Sequence, residues 1–248
     1  MVWRRVTQTE PGRIGVRGTA HPGLDRRWAC EVLGAAAVVP AFDAPVLRDL
    51  ALQNAGMRQW SSGSLYEGFV SSIVGQSISV AAAAVTERKL CALFHPGIDV
   101  AGRRFWPTPR PDQIAEATID MVRSAGVTQV RAHALVAVGQ VFADEGGKPE
   151  EPRRLASELE AIRGIGRWTI ESALLWGIGH PDAHPSGDVA LLRAARRHFP
   201  GISNLQELDR AAETWKPNRA WAARLLWLDL LGFPPSTSSC VTRNTTYP

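Results

Sequence analysis

Leu159-Glu160-Ala161-Ile162-Arg163-Gly164-Ile165-Gly166-Arg167-Trp168-Thr169-Ile170 is the stretch that decides how this 248-residue chain folds. Upstream, Pro152 is a residue favoured in a helix's first turn, and Leu155, Leu159 and Ile162 then recur at helical spacing up to Gly164. A second helical segment is predicted over 168–177. Two glycines around one aliphatic residue, set between helices, make a tight turn, because glycine tolerates the left-handed backbone and the close approach it needs. The turn's amides then lie at the start of the second helix, whose dipole favours an anion. Ile165 is placed to plug the turn, and Arg163 and Arg167 flank it with positive charge. Such a turn grips a phosphate backbone without reading bases. The plainer alternative is a glycine-containing connection in a helical bundle, and Gly-x-Gly alone does not separate the two.

Outward from the turn the pattern is helical from about residue 45 onward. Helices are predicted over 65–93 (one long or two adjoining), 112–117, 121–124 and 129–144, then 189–198, 205–214 and 218–231. A Gly146-Gly147-Lys148-Pro149 turn precedes Pro152. The first 40 residues differ: segments flanking Glu10-Pro11-Gly12 read as a short hairpin, and 24–38 as a helix. The Ser- and Thr-rich residues 236–248 read as disordered. The expected fold is mainly α, with a short N-terminal segment containing β structure. By segment it divides into 1–40, 41–235 and the tail 236–248.

Composition narrows the partners. Net charge is +4, and of 28 basic residues only Lys89, Lys148 and Lys216 are lysines. That balance admits phosphate-backbone contact without establishing it. No apolar run approaches the roughly 18 residues of a membrane span, so no membrane is expected as a partner. The opening Met-Val-Trp-Arg-Arg-Val lacks a secretory signal's apolar segment, and a cytoplasmic location, nucleoid-associated in a bacterium, is expected. Cys30, Cys91 and Cys240 lie far apart and form no CxxC pair, which suits neither a disulfide framework nor a zinc site. His180 and His184 lie near Asp182 and Asp188, but a proline-broken loop disfavours the rigid geometry of a metal site.

The hairpin segment resembles the signature of the helix-hairpin-helix DNA glycosylase superfamily, specifically its 3-methyladenine DNA glycosylase II branch. Ser186-Gly187-Asp188-Val189-Ala190 resembles the superfamily's catalytic aspartate segment, with Asp188 twenty residues after Trp168. Ile73-Val74-Gly75-Gln76-Ser77-Ile78-Ser79 is similar to the branch's Gly-Gln helix motif near the DNA. Trp106-Pro107-Thr108-Pro109 is similar to its Phe-Pro-Thr-Pro loop, and Glu213-Thr214-Trp215-Lys216-Pro217 with Trp227 to its C-terminal segment. The matches run in order over roughly residues 25–233. The resemblance implies two helical lobes with a DNA-binding cleft between them, and N-terminal 40 residues that are a shortened remnant of a β-rich domain.

It also implies a chemistry. Members that cut the DNA backbone carry a Schiff-base lysine where this chain has Trp168, and tryptophan is no nucleophile. Hydrolysis by water is left, and no lyase activity is expected. Asp188 is then the carboxylate that stabilises charge on the sugar and orients or deprotonates water. The plainer role for Asp188 is a helix N-cap before Val-Ala-Leu-Leu, and Asp182 is the second candidate for the catalytic role. Arg163, Gly164, Ile165, Gly166, Arg167, Thr169, Gln76 and Ser77 are the expected DNA-binding residues, and the expected partner is double-stranded DNA with damaged bases, bound by a monomer.

Alkylated purines such as 3-methyladenine or 7-methylguanine are cationic and leave easily, so their pocket needs aromatic faces more than a general acid. Trp168 and Trp227 align with pocket aromatics of the family. Trp3, Trp28, Trp176 and Trp215 read as core, and Trp221 is open between the two roles. The chain departs from the family at Ser77, where some relatives place an apolar wedge, and at Ser172, where a close relative has a pocket tyrosine. The wedge then falls to Gln76, Ile78 or the residues around Trp60, and Ser172 makes a roomier pocket. No iron–sulfur cluster or other cofactor is expected, since Cys240 stands alone. The family hairpin binds a monovalent cation through main-chain carbonyls, here those of Glu160, Ile162 and Ile165. Two rivals stand beside alkylated-purine release: hydrolysis of another lesion such as uracil or hypoxanthine, and DNA binding without catalysis.

Overall fold

The computed structural model describes residues 4–10, 13–18, 22–100, 102–144 and 151–232. Two short antiparallel hairpins, twelve α-helices and two 3-10 turns make up the regular structure of these residues. In chain order they begin with β1 (Arg4–Glu10), β2 (Arg13–Gly18), α1 (Pro22–Val32), α2 (Pro45–Gln53), α3 (Leu65–Gly75) and α4 (Val80–Phe94). Then come β3 (Ile98–Val100), β4 (Arg103–Phe105), α5 (Pro111–Ala115), α6 (Ile119–Arg123), α7 (Gln129–Asp144) and α8 (Pro152–Glu158). The chain continues through α9 (Arg167–Ile178), α10 (Val189–Ala195), α11 (Leu205–Ala212) and α12 (Arg219–Leu230). The expected turn at 146–149, the turn residues Pro11 and Gly12, and the tail 236–248 lie outside the described residues.

The chain divides into two compact units, one of 1–60 with 188–248 and the other of 61–187. Residues 41–235 therefore contribute to both. In the first unit, Phe42, Leu47 and Leu50 share a core with Leu191, Leu208, Trp215, Trp221, Leu225 and Leu226. Trp221 is thereby a core residue, as is Trp215. The predicted helix over 24–38 stops at Val32, because Gly34 turns into the left-handed region at φ 60°. That turn also lets residue 34 approach the backbone of Gln59 so closely that a Cβ would come within 2.8 Å of the Gln59 carbonyl oxygen.

In the second unit, Phe69, Ile73, Leu90, Ile114, Leu135, Phe142, Leu174 and Leu175 are buried. The stretch 65–93 is two helices, bent by 119° at the break. Ser79 caps the second by accepting from Ala82 N at 3.2 Å. The β3–β4 hairpin, a three-residue pairing turning through Gly102 at φ 77°, was not predicted; strands this short carry too little alternation to show. No single helix among the described residues is long and apolar enough to cross a membrane.

The helix that begins at the hairpin, α9, is seated on α3 by two glycines. A Cβ at Gly68 would lie 2.5 Å from the Ala173 carbonyl oxygen, and one at Gly177 would lie 2.8 Å from that of Ser64. Both obstacles are backbone, so neither yields cheaply. Gly68→Ala is expected to destabilise the protein by about 1–3 kcal/mol, the usual cost of overpacking, measured as a lowered midpoint in urea unfolding.

Candidate functional site

The hairpin is built as its sequence demands. α8 runs into a 3-10 turn at Leu159–Ala161, Ile162 becomes extended, and Gly164 takes φ 96°. Ile165 N closes the turn onto the Ile162 carbonyl at 3.0 Å, and Gly166 is the N-cap of α9. Ile165 is buried while Arg163, Gly166 and Arg167 are exposed, so the plug and the flanking charges stand where the sequence places them. The first amides of α9 have no acceptor inside the helix, and they follow directly on this exposed turn.

Gln76 supports the hairpin from behind. Its Nε2 donates to the Gly164 carbonyl at 2.7 Å and to Thr169 Oγ1 at 2.9 Å. Thr169 is buried, so these two side chains face each other and act by fixing the shape of the turn. Arg131 Nη2 donates to the Gln76 carbonyl, and Val130 packs under Gly164, where a Cβ would meet its Cγ1 at 2.7 Å. Ser77, one residue on, is an exposed non-glycine residue at φ 54°. Such a backbone costs about 1–2 kcal/mol.

The loop that leaves α9 is also held. Glu171, buried on α9, accepts from His184 N at 2.9 Å and pairs with Arg153 Nη1 of α8 at 3.2 Å. One carboxylate thus ties both helices of the hairpin unit to the loop ending at Gly187. Ala183, His184 and Pro185 are buried, and Asp182 N donates to His180 Nδ1 at 3.2 Å. Among the described residues no group of three or more His, Cys, Asp and Glu side chains is placed to hold a metal ion. Arg131, Val130, Arg153 and Glu171 carry no motif of their own. Their roles arise from contacts across 13 to 55 residues, which no local pattern announces.

Asp188 belongs to the first unit, where it is the N-cap of α10 and its Oδ1 accepts from Leu191 N at 2.6 Å. The helix-capping role is therefore real, and it orients the carboxylate. Trp227, on α12 of the same unit, is half-buried; Trp168, in the first turn of α9, is half-buried in the second unit. Ser172 is buried on α9. The Ile162 carbonyl accepts from Ile165 N and, like those of Glu160 and Ile165, is a neutral oxygen.

No family model matches the chain. It is similar to DNA-3-methyladenine glycosylase 2 of Escherichia coli, 29% identical over 176 residues that cover 69% of this chain and 60% of that protein. A Bacillus subtilis DNA-3-methyladenine glycosylase is 24% identical over 190 residues, 74% of this chain and 63% of its own. The chain thus spans about three-fifths of the length of these two relatives. The solved structure of a 3-methyladenine DNA glycosylase from Archaeoglobus fulgidus superposes with a TM-score of 0.75 at 24% identity, covering 94% of this chain and 88% of that one. The chain is thus similar in sequence and in fold to DNA-3-methyladenine glycosylases. The hairpin, its Gln76 support and the Asp188 cap are the elements on which a function rests.

Proposed function

We propose that the protein is a monofunctional DNA glycosylase that hydrolyses the N-glycosidic bond of alkylated purines, 3-methyladenine and 7-methylguanine being the type, in base-excision repair. The observation that carries this reading is the Gly164–Ile165–Gly166 turn opening α9, with Gly166 exposed, Gln76 locking the turn and no lysine at position 168. The names of the relatives in the 3-methyladenine glycosylase branch support the same substrate class.

Double-stranded DNA is gripped at a phosphate by the turn and α9's first amides, with Arg163 and Arg167 adding charge. The lesion is flipped out, which is easiest for a weakly paired base. Of the candidate wedges, Gln76, Ile78 and the residues around Trp60, Gln76 is spent on the hairpin. Ile78, 39% exposed and two residues from Gln76, is preferred to the residues around Trp60 because it follows directly on the segment that supports the hairpin. Trp168 and Trp227 are the aromatic side chains assigned to a cationic base, and Ser172, a small residue on the same helix as Trp168, belongs to the same assignment. As the base departs, the Asp188 carboxylate stabilises the positive charge growing at C1′ and takes the proton of the attacking water. An abasic site remains, since position 168 offers no amine to form a Schiff base. The hairpin carbonyls of Glu160, Ile162 and Ile165 would hold a monovalent cation that stiffens the turn, and the working unit is a monomer.

The test is release of free base from methylated duplex DNA, with uracil and hypoxanthine duplexes run in parallel. Release of methylated purines without strand cleavage is the expected result. Cleavage of the backbone, or trapping of a covalent adduct by borohydride, would overturn the hydrolytic reading. Release confined to uracil or hypoxanthine would move the substrate to the rival lesion class.

A further inference from the structure

Arg88 and Arg104 come together at Trp106, which opens the loop Trp106-Pro107-Thr108-Pro109, a segment with no part in the proposed reaction. Both arginines lie in the unit that carries the hairpin. β4 presents Arg103, Arg104 and Phe105, all exposed. Arg104 faces Asp99 across the β3–β4 pair. Their charged groups stay 3.9 Å apart with 52% and 69% of the side chains exposed, so this pair contributes little. Gly97, at φ 89°, leaves the space that Arg104 and Trp106 fill: a Cβ there would stand 2.8 Å from Arg104 Nε and 3.1 Å from Trp106 Nε1. From α4, the Arg88 guanidinium lies over the Trp106 ring, its Cζ 5.9 Å from the ring centroid. Two cations thus share one half-buried tryptophan. The loop beyond it is fixed to the core, since Tyr66 Oη of α3 donates to the Pro109 carbonyl at 2.9 Å.

We propose that Arg88 and Arg104, held about Trp106, each take a phosphate of the bound DNA duplex at a second point, apart from the hairpin; this rests on the glycosylase reading above. A guanidinium packed on an aromatic ring keeps in-plane N–H groups for a bidentate grip on phosphate oxygens. The packing also fixes the arginine, which then gives up less side-chain freedom on binding. Two arginines fixed at one place, with one loosely held acid beside them, favour a ligand of dense and regular negative charge. Duplex DNA is such a ligand, with a charge for about every 1.7 Å of its axis. The distance suits it too. α4 starts at the bend whose Gln76 holds the hairpin, and from Val80 to Arg88 the helix rises about 12 Å. A turn of duplex is about 34 Å long, so DNA gripped at the hairpin offers phosphates at that range without a second molecule. An acidic protein surface is the rival ligand.

Phosphate-ethylation interference tests this on a duplex of about 25 base pairs, more than two turns, with a central tetrahydrofuran abasic residue. Wild-type protein should need two groups of phosphates, one for the hairpin and one for the arginine pair. Arg88→Gln/Arg104→Gln should lose the second group and keep the first. Its slope of log K against log salt should be shallower by about 1.8, that is about 0.9 for each phosphate released. Over a fourfold rise in salt the wild-type affinity should then fall about tenfold further than the variant's. Arg88→Lys/Arg104→Lys keeps both charges without the planar forks, so it should bind more weakly than wild type at an unchanged slope. An unchanged footprint and slope in the glutamine variant would overturn the second contact and leave the pair to an acidic protein. Loss of the hairpin's phosphates along with the second group would overturn its separateness. A slope lowered as much by lysine as by glutamine would make the effect one of structure, and would also overturn the proposal. A wild-type protein with no preference for the abasic duplex over undamaged DNA would overturn the glycosylase reading and this contact with it, whereas failure in the arginine variants alone removes only this contact.

Discussion

Asp188→Asn should lower the rate of methylated-base release by roughly 10²- to 10⁴-fold, the range for removing a positioned acid–base group, and leave the protein folded and DNA-bound. The second half of that expectation follows from the cap. Asp188 Oδ1 accepts from Leu191 N, and asparagine, as good an N-cap as aspartate, supplies a carbonyl oxygen in the same place. α10 therefore keeps its first turn, and the unfolding midpoint should stay close to that of the wild type. What asparagine cannot do is carry the negative charge that faces a growing oxocarbenium ion, or accept the proton of water. Asp188→Ala removes both functions, so it should show the same catalytic loss together with a stability loss of about 0.5–2 kcal/mol. The two variants separate the structural role from the chemical one: single-turnover base release reads the chemistry, and thermal unfolding reads the cap. Full excision by Asp188→Asn would remove Asp188 from the mechanism and leave it a helix cap only.

Much of this site was legible because glycine and a cap signal act locally. Gly164 and Gly166 announce a turn whatever surrounds them, and the structure realises it with Gly164 at φ 96° and Gly166 capping α9. Asp188 before an apolar helix announces a cap for the same reason. The helix over 129–144 was read with its observed limits, since its pattern is long and uninterrupted. Helix ends were less readable. The stretch 189–198 is helical only to Ala195, and 24–38 only to Val32, where Gly34 redirects the chain to pack on Gln59. Least legible were the contacts that make the site rigid. Gln76 was read as facing DNA, yet its amide is committed to Gly164 and Thr169, 88 and 93 residues away. Glu171 showed nothing in sequence beyond an acid on an apolar helix, although it joins Arg153 to His184. Nothing local distinguishes a carboxylate bound for solvent from one that will be buried with two partners.

The two hairpin glycines should separate when each is replaced by alanine. Gly164 is required by the fold: at φ 96° an L-residue is strained, and its Cβ would press on Val130 Cγ1 at 2.7 Å. Gly164→Ala should lose about 1–2 kcal/mol from the backbone alone, and DNA affinity should fall as the turn deforms. Gly166 is not required in that way. Its φ of −114° and ψ of 178° are extended backbone open to any residue, and an added Cβ meets nothing within 4 Å. Gly166→Ala should therefore unfold at the wild-type midpoint. The empty space around it is on the exposed side of the turn, where a phosphate must come close to the first amides of α9. A methyl group there holds the phosphate away from its charge-assisted hydrogen bonds, each worth about 1.5–3 kcal/mol. Roughly 10- to 100-fold weaker binding to abasic-site duplex is the expected result, with base release at saturating DNA preserved. Titrations at several salt concentrations give the second readout, because one lost phosphate contact lowers the slope of log K against log salt by about 0.9. Wild-type affinity in Gly166→Ala would mean that the turn does not touch DNA, and its glycines would then be explained by Gly164 and helix packing alone.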